Sequence, residues 1–509
     1  MTSAPLHRLP ASELRRLIAR REVSPVELMR AVLERADRLQ GALNCFITVD
    51  HEGAMREAER AERAVMAGDT LGLLHGIPCA VKDLVNTAGL RTTFGSLLYA
   101  DNVPDQDAVA AARLREQGAI LFAKTTTPEF GAKCLTDAPL FGRTHNAWSA
   151  AHTCGGSSGG SAVAVASGIG PIAVATDGGG STRIPAACNG VVGLKQGLGT
   201  IAHSQVADAF GNYTYVTPMT RTVADTALML QAMAGPDDSD PWSIGVAVPD
   251  YVAAAQGAGD LRGVRVLACA APPGRPVSAE MDAAFRRALA TLEALGAEVD
   301  AFDGSGFDIE PIWRAINHTT WRARFAAMAE RDGERMSPSL LKQLALARDV
   351  SGVEYQQAMF DRAALFRRVQ VMLRDAALLV TPTLSRAALP IGQDLFGKLE
   401  IDGRHYEDVR GNWFPWTMPF NLTGHPAVSL PCGFTAEGLP LGVQFVGRMR
   451  GEAELLRAAA LFERASPWAE AWPDEPGPNE PGPNEPGPNE PGPGEPAAKA
   501  PGRPLRRGS

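Results

Sequence analysis

Apolar and polar positions along this chain follow two rhythms. Near the start, Leu28, Val32, Ala36 and Leu39 recur at helical spacing behind Ser24-Pro25-Val26-Glu27. A serine, a proline at the first helical position and a glutamate three residues on predict a capping box opening an amphipathic helix. The serine and glutamate side chains satisfy N–H groups that a first helical turn leaves without partners. Short uninterrupted apolar runs then alternate with helical patterns. Residues 119–123 predict a buried strand after a helix around 108–117, and residues 171–175 predict another that feeds directly into a glycine-rich loop. Residues 161–167 are small and helix-compatible; further strands are expected at 264–268, 378–380, 427–430 and 443–446, and helices around 279–295, 361–374 and 452–465. Strands this short and this apolar belong inside a sheet covered on both faces. The alternation predicts an α/β fold: a single large domain whose mixed, mostly parallel central β-sheet carries α-helices on both faces.

The rhythm stops near residue 472. From Glu475 the chain repeats Glu-Pro-Gly-Pro-Asn with a period of five and closes in Arg503-Pro504-Leu505-Arg506-Arg507. Such a segment has almost no apolar side chains to offset ordering entropy. It is expected to be a disordered Pro/Gly/Glu-rich tail over 475–509, distinct from a folded domain over 1–472.

Composition narrows the possibilities. With 509 residues, 45% hydrophobic and 21% charged, the chain has the material for a large core. A net charge of −8 without a basic stripe argues against nucleic acid and anionic membrane surfaces. No apolar run reaches the roughly 18–20 residues that membrane insertion requires, and from the opening residues no secretory leader is expected. The seven cysteines are odd in number and form no CxxC pair, which argues against a disulfide framework and fits a reducing cytoplasm. Nine histidines show no HExxH or similar spacing, so no metal is expected.

Candidate chemistry concentrates in two glycine-rich loops. One reads Cys154-Gly155-Gly156-Ser157-Ser158-Gly159-Gly160-Ser161; the other reads Thr176-Asp177-Gly178-Gly179-Gly180-Ser181-Thr182-Arg183. Glycine lets backbone N–H groups approach a ligand closely. Behind a strand and three glycines, Ser181 stands where several N–H groups can converge on an oxyanion, each commonly contributing a few kcal/mol. Residues 155–159 also fit the G-x-S-x-G nucleophile elbow, but an elbow needs a preceding strand and residues 146–153 are loop-like. Upstream, Lys82 sits in the apolar run Gly76-Ile77-Pro78-Cys79-Ala80-Val81-Lys82-Asp83. Burial there would lower the amine's pKa and make a neutral base available. Taken singly, each feature also fits a structural or phosphate-binding turn.

In this order, the segments resemble the amidase signature family. The resemblance begins at His75-Gly76-Ile77-Pro78 and Val81-Lys82-Asp83 and continues through Lys124-Thr125 with Pro128-Glu129-Phe130. It takes in both glycine loops, Ile184-Pro185-Ala186 and Gly190-Val191-Val192-Gly193-Leu194-Lys195, then Asn421-Leu422-Thr423-Gly424-His425-Pro426-Ala427 and Gly438-Leu439-Pro440-Leu441-Gly442-Val443-Gln444. Its core is about 76–195, and it implies the amidase signature fold. It further implies a Ser–cis-Ser–Lys triad: Ser181 as the acyl-forming nucleophile, Ser157 as a bridging serine after a non-proline cis peptide, and Lys82 as the base. The backbone of Gly178, Gly179, Gly180 and Ser181 would form the oxyanion hole, with Asp177 and Arg183 bracing the loop. Cys154, Thr126-Thr127 and Gln196 depart from the residues common in the family. They spare the triad but weigh against the tRNA-dependent amidotransferase branch.

The implied activity is hydrolysis of carboxylic-acid amide C–N bonds in a small-molecule substrate, without a cofactor. Aliphatic, aryl, fatty and cyclic amides, carbamates and ureas all fall within the family's range. A homodimer is a permitted assembly. Two other functions are retained: a glutamine amidotransferase A-type subunit supplying ammonia to a partner, and a catalytically silent scaffold docking through the tail. Ser339-Leu340-Leu341-Lys342 matches S-x-x-K without the companion motifs and should open a helix. His145 and His152 are read as loop histidines. Trp313, Trp321, Trp413 and Trp416 lie in weakly patterned stretches that commonly shape substrate access, and could line an apolar acyl pocket.

Overall fold

The computed structural model describes residues 5–347 and 349–476. The expected tail lies outside these residues except for its first two, of which Glu475 pairs with Arg35 at 2.6 Å and with Arg38 at 3.3 Å.

Eleven strands form one sheet. In chain order they are β1 (Phe46–Val49), β2 (Pro78–Lys82), β3 (Ile120–Thr125), β4 (Ile172–Asp177), β5 (Val192–Lys195), β6 (Tyr215–Thr220), β7 (Arg265–Ala268), β8 (Glu298–Ala301), β9 (Leu378–Pro382), β10 (Ala427–Phe434) and β11 (Pro440–Gly447). Across the sheet they run β1-β3-β2-β4-β6-β5-β10-β11-β9-β7-β8. β2 lies parallel to both β3 and β4, and β7 lies parallel to both β8 and β9. The strands between these blocks, and β1 at the edge, pair antiparallel. The expected mixed sheet in a single large domain is therefore present, with its parallel pairings gathered into two blocks.

Helices cover the sheet and bury its central strands; β2, β3 and β11 have every residue buried, and β4 all but one. The main core joins these strands to helices Pro25–Leu43, Gly159–Ala166, Val223–Met233, Ala279–Ala294 and Glu452–Ala465. A second core forms around Phe307, Trp413, Trp416 and Phe420 beneath helices Glu310–Asp332 and Gly352–Asp375. No helix among the described residues is long and apolar enough to cross a membrane.

Local chemistry explains several boundaries. Ser24 Oγ accepts from the N–H groups of Val26 at 3.0 Å and Glu27 at 3.3 Å, so the expected cap forms. The reciprocal bond, from the Ser24 N–H to the Glu27 carboxylate, is not formed among the described residues, and the Ser24 hydroxyl donates to Glu62 of the neighbouring helix. A complete capping box occurs instead at Ser351 and Glu354, which starts the Gly352–Asp375 helix well before the expected residue 361. β6 was hidden by Pro218, which usually argues against a central strand. Here β5 pairs with β6 only at Met219 and Thr220, so Pro218 lies beyond that ladder.

Candidate active site

Strand topology gathers the site. β2 and β4 are adjacent and parallel, with Val81 opposite Val174, so their C-terminal ends lie side by side. Ligand sites in open α/β sheets form at such ends. Lys82 closes β2, and Thr176 with Asp177 closes β4. The first glycine loop passes over this edge and starts the helix Gly159–Ala166, bringing Ser157 and Ser158 to the lysine. Lys82 Nζ lies 2.7 Å from Ser157 Oγ, 2.8 Å from Ser158 Oγ and 2.8 Å from Thr176 Oγ1. The amine is fully buried and no carboxylate is among its hydrogen-bond partners. Burial pulls its pKa well below the usual 10.5, with only the more distant Asp177 charge opposing.

The two serines differ in their second contact. Ser158 Oγ donates to the Thr176 carbonyl at 3.1 Å and accepts the Thr176 N–H at 3.2 Å, which fixes it to β4. Ser157 faces a cavity that Ser181 also lines. The Gly156–Ser157 peptide is cis. Gly131 packs against this serine with φ of 71°, where an added Cβ would stand 3.2 Å from Ser157 Oγ.

The second glycine loop is anchored by its carbonyls. Gly178 O accepts from Trp313 Nε1 at 3.0 Å, Gly179 O from Thr417 Oγ1 at 2.7 Å, Gly180 O from Ile184 N at 2.7 Å and Ser181 O from Ser158 N at 3.1 Å. Gly178, Gly179 and Ser181 border the cavity, and their N–H groups make no hydrogen bond among the described residues. Gly180 departs from the expectation. Its N–H donates to Asp177 Oδ1 at 2.7 Å, and the residue does not border the cavity. Its φ of 126° and the Thr417 hydroxyl, 2.4 Å from where a Cβ would stand, require glycine there.

Asp177 and Arg183 do brace the loop. The carboxylate holds Gly180 N, Thr182 N at 3.2 Å, and the Arg183 guanidinium at 3.0 Å through both Nε and Nη2. Arg183 also reaches Gln444 at 2.7 Å and Asn421 at 2.6 Å, from β11 and the segment before β10. Burial alone would raise the Asp177 carboxyl; Arg183 and Asn421 outweigh it and hold the group at about 2.

Comparison with known proteins shows the family. The chain matches the Amidase family over residues 27–456. An acylamidase of Rhodococcus erythropolis is 39% identical over 479 residues, covering 93% of this chain and 98% of that protein. The A-type subunit of the glutamyl-tRNA(Gln) amidotransferase of Roseiflexus sp. (strain RS-1) is 34% identical over 498 residues, covering 92% and 99%. The chain belongs to the amidase family. Solved structures agree: a bacterial aryl acylamidase of the amidase signature enzymes superposes with a TM-score of 0.84 at 28% identity, covering 92% of this chain and 98% of that one. A 6-aminohexanoate cyclic dimer hydrolase gives 0.82 at 28%, covering 92% and 99%. As a member of this family the chain is an amidohydrolase.

In this amidohydrolase the cavity beside Ser181 holds about 210 Å³. Its walls are strongly aromatic: Phe94, Phe130, Trp313, Trp321 and Phe414. Phe130 stacks on Phe325 at 4.4 Å between centroids. Of the four tryptophans singled out by sequence, Trp313 and Trp321 line this cavity, while Trp413 and Trp416 are buried in the second core. His145 and His152 border loops elsewhere, and Ser339 falls within the helix Pro338–Leu346. Sequence reasoning gave no site role to Phe94, Thr417 or Arg410, nor to Phe130, which it met only as the end of a family-like segment. Phe94 and Phe130 adopt positive φ, 55° and 50°, a conformation that aromatic residues do not advertise.

Proposed function

We propose that the chain hydrolyses carboxylic-acid amides, aryl amides foremost, through an acyl-enzyme on Ser181. Neutral Lys82 takes the hydroxyl proton of Ser157, which takes that of Ser181. Ser181 Oγ adds to the amide carbonyl carbon, and the oxyanion is met by the N–H groups of Gly178, Gly179 and Ser181. The C–N bond then breaks as the proton returns through Ser157 to the leaving nitrogen. Water attacks the ester along the same relay in reverse, releasing the acid and restoring Ser181. The observation that carries this reading is Lys82 Nζ at 2.7 Å from Ser157 Oγ, in a buried setting of hydroxyls, at a cavity shared with Ser181. The aromatic walls and the acylamidase relative support aryl or acyl amides as substrates. A folded amidase unit over 1–472 acting in the cytoplasm belongs to the same proposal.

The amidotransferase relatives favour a second reading, in which the chain passes ammonia to a partner. One experiment separates the two. The purified chain alone should hydrolyse acetanilide and react with a fluorophosphonate at Ser181, and Ser181→Ala should abolish both. Glutamine-dependent activity confined to a complex with partner chains would favour the second reading; labelling retained on Ser157 would overturn the assigned roles.

A further inference from the structure

Arg410 is a cation for which the proposed mechanism has no task. It lies on the short helix Val409–Trp413, is 6% exposed, and lines the cavity that holds Ser157 and Ser181. Its guanidinium stands 5.7 Å from the centre of the Trp313 ring. One side-chain hydrogen bond holds it, from Nη2 to Gln343 Oε1. Gln343 is itself fixed, because its amide nitrogen donates to the Ala132 carbonyl at 2.9 Å. Among the described residues no carboxylate lies within 4.0 Å of this guanidinium, and its Nε and Nη1 make no hydrogen bond.

The nearest acids are already engaged. Glu310 pairs with Arg314 at 2.6 Å, and Asp408 lies 3.6 Å from Arg314 while accepting the N–H groups of Arg410 and Gly411. Burial lowers the Arg410 pKa from its ordinary value and these two carboxylates oppose that from a distance; a guanidinium is basic enough to keep its proton, and an edge of its donor fork is left open. Elsewhere in the cavity Lys133 pairs with Asp137, and Asp208 accepts the Gly211 N–H at 2.8 Å. A guanidinium donates best to a planar two-oxygen acceptor, and an enclosed setting strengthens that pairing.

We propose that Arg410 forms an anion subsite in this cavity, so that the preferred amides carry a carboxylate that pairs with it while Ser181 attacks. This rests on the reading of the cavity as the amide-binding site. Three anilides test it: neutral acetanilide, 4-acetamidobenzoate with its carboxylate on the amine side, and glutaranilic acid with its carboxylate on the acyl side. The wild-type chain should favour one of the two anions over acetanilide in kcat/KM by about tenfold to hundredfold, the range expected of a charge-assisted hydrogen bond. Arg410→Gln should bring that ratio close to one. Arg410→Lys, a gentler change for folding, should give an intermediate ratio, since it keeps the charge and loses the fork. Turnover of acetanilide with no preference for either anion would overturn the subsite and leave the amidase reading intact. A preference that survives Arg410→Gln would also overturn it and point to another cation such as Arg324. No turnover of any anilide together with no fluorophosphonate labelling would overturn the amidase reading itself, and the subsite with it.

Discussion

Replacing Arg183 with methionine preserves most of the side chain's length and removes its charge. In the wild-type protein Arg183 is fully buried and meets Asp177, Gln444 and Asn421 through its guanidinium. Arg183→Met leaves the Asp177 carboxylate enclosed with Asn421 Nδ2 at 2.9 Å and two loop N–H groups as its remaining donors. Removing one partner of a buried ion pair costs about 3–5 kcal/mol. An unfolding entropy near 2.1 cal/mol/K per residue gives about 1 kcal/mol per degree for a chain of this size, so Tm should fall by about 3–5 °C at neutral pH. The pH dependence gives an independent signature. Asp177 is held at about 2 in the folded protein against 3.8 ordinarily, a stabilisation of about 2 kcal/mol. Because the folded value is depressed, this contribution is present above the unfolded value and is lost as pH falls from about 4 to about 2. The variant lacks it, so the Tm gap between wild type and variant should be widest at neutral pH and narrow across that window. Thermal scans of both proteins from pH 7 to pH 2.5 measure this. The same carboxylate orders the N–H groups on either side of Ser181, so fluorophosphonate labelling should also slow. Adding Asp177→Asn should cost less than the two single changes summed, since it removes the stranded charge. A Tm within a degree of wild type, or a gap independent of pH, would refute the argument.

Two further outcomes are expected. The rate of aryl-amide hydrolysis should rise with pH along an acid limb as Lys82 loses its proton, with a midpoint well below 10.5, and Lys82→Met should lower kcat by about 10²–10⁴-fold; a limb at the ordinary lysine value would reject Lys82 as the base. Trp313→Phe keeps the ring over Gly179 but removes the 3.0 Å donor to the Gly178 carbonyl, so kcat should fall about fivefold or more with KM little changed; a change confined to KM would mean the indole N–H does not position the loop.

Where the sequence was legible, one residue type had one physical use. Uniformly apolar runs became the central strands β3, β4, β9 and β11, and the helix Glu452–Ala465 was read with its observed limits. β5 and β8 were missed because Val192-Gly193-Leu194-Lys195 and Glu298-Val299-Asp300-Ala301 carry polar or flexible residues that only their sheet neighbours override. At the site, the glycine loops marked themselves through resemblance. The direction of each N–H did not, and Gly180 shows why: it shares its neighbours' composition, yet the Asp177 carboxylate turns its N–H away from the cavity. The aromatic walls come from four separate stretches, and their convergence is a property of packing that no local pattern encodes.

Three buried lysines then raise the question of which one can act as a base. Lys82, Lys124 and Lys195 are each fully buried, and burial lowers all three, Lys124 to about 7 and the other two well below 10.5. A depressed pKa therefore nominates three candidates. Their partners separate them. Lys195 donates to the Gln196 carbonyl at 2.9 Å and sits 3.9 Å over the Tyr215 ring. Lys124 holds the Val85 carbonyl and the hydroxyls of Thr87 and Thr92 at 3.0 Å, and neither of these hydroxyls borders the cavity. Neither carbonyls nor ring faces have a proton to give. Lys82 alone of the three meets only hydroxyls, and of its two serines Ser158 has its proton directed to the Thr176 carbonyl. That leaves Ser157 as the serine through which a neutral Lys82 can draw a proton from the cavity, the step the proposed acyl-enzyme route requires.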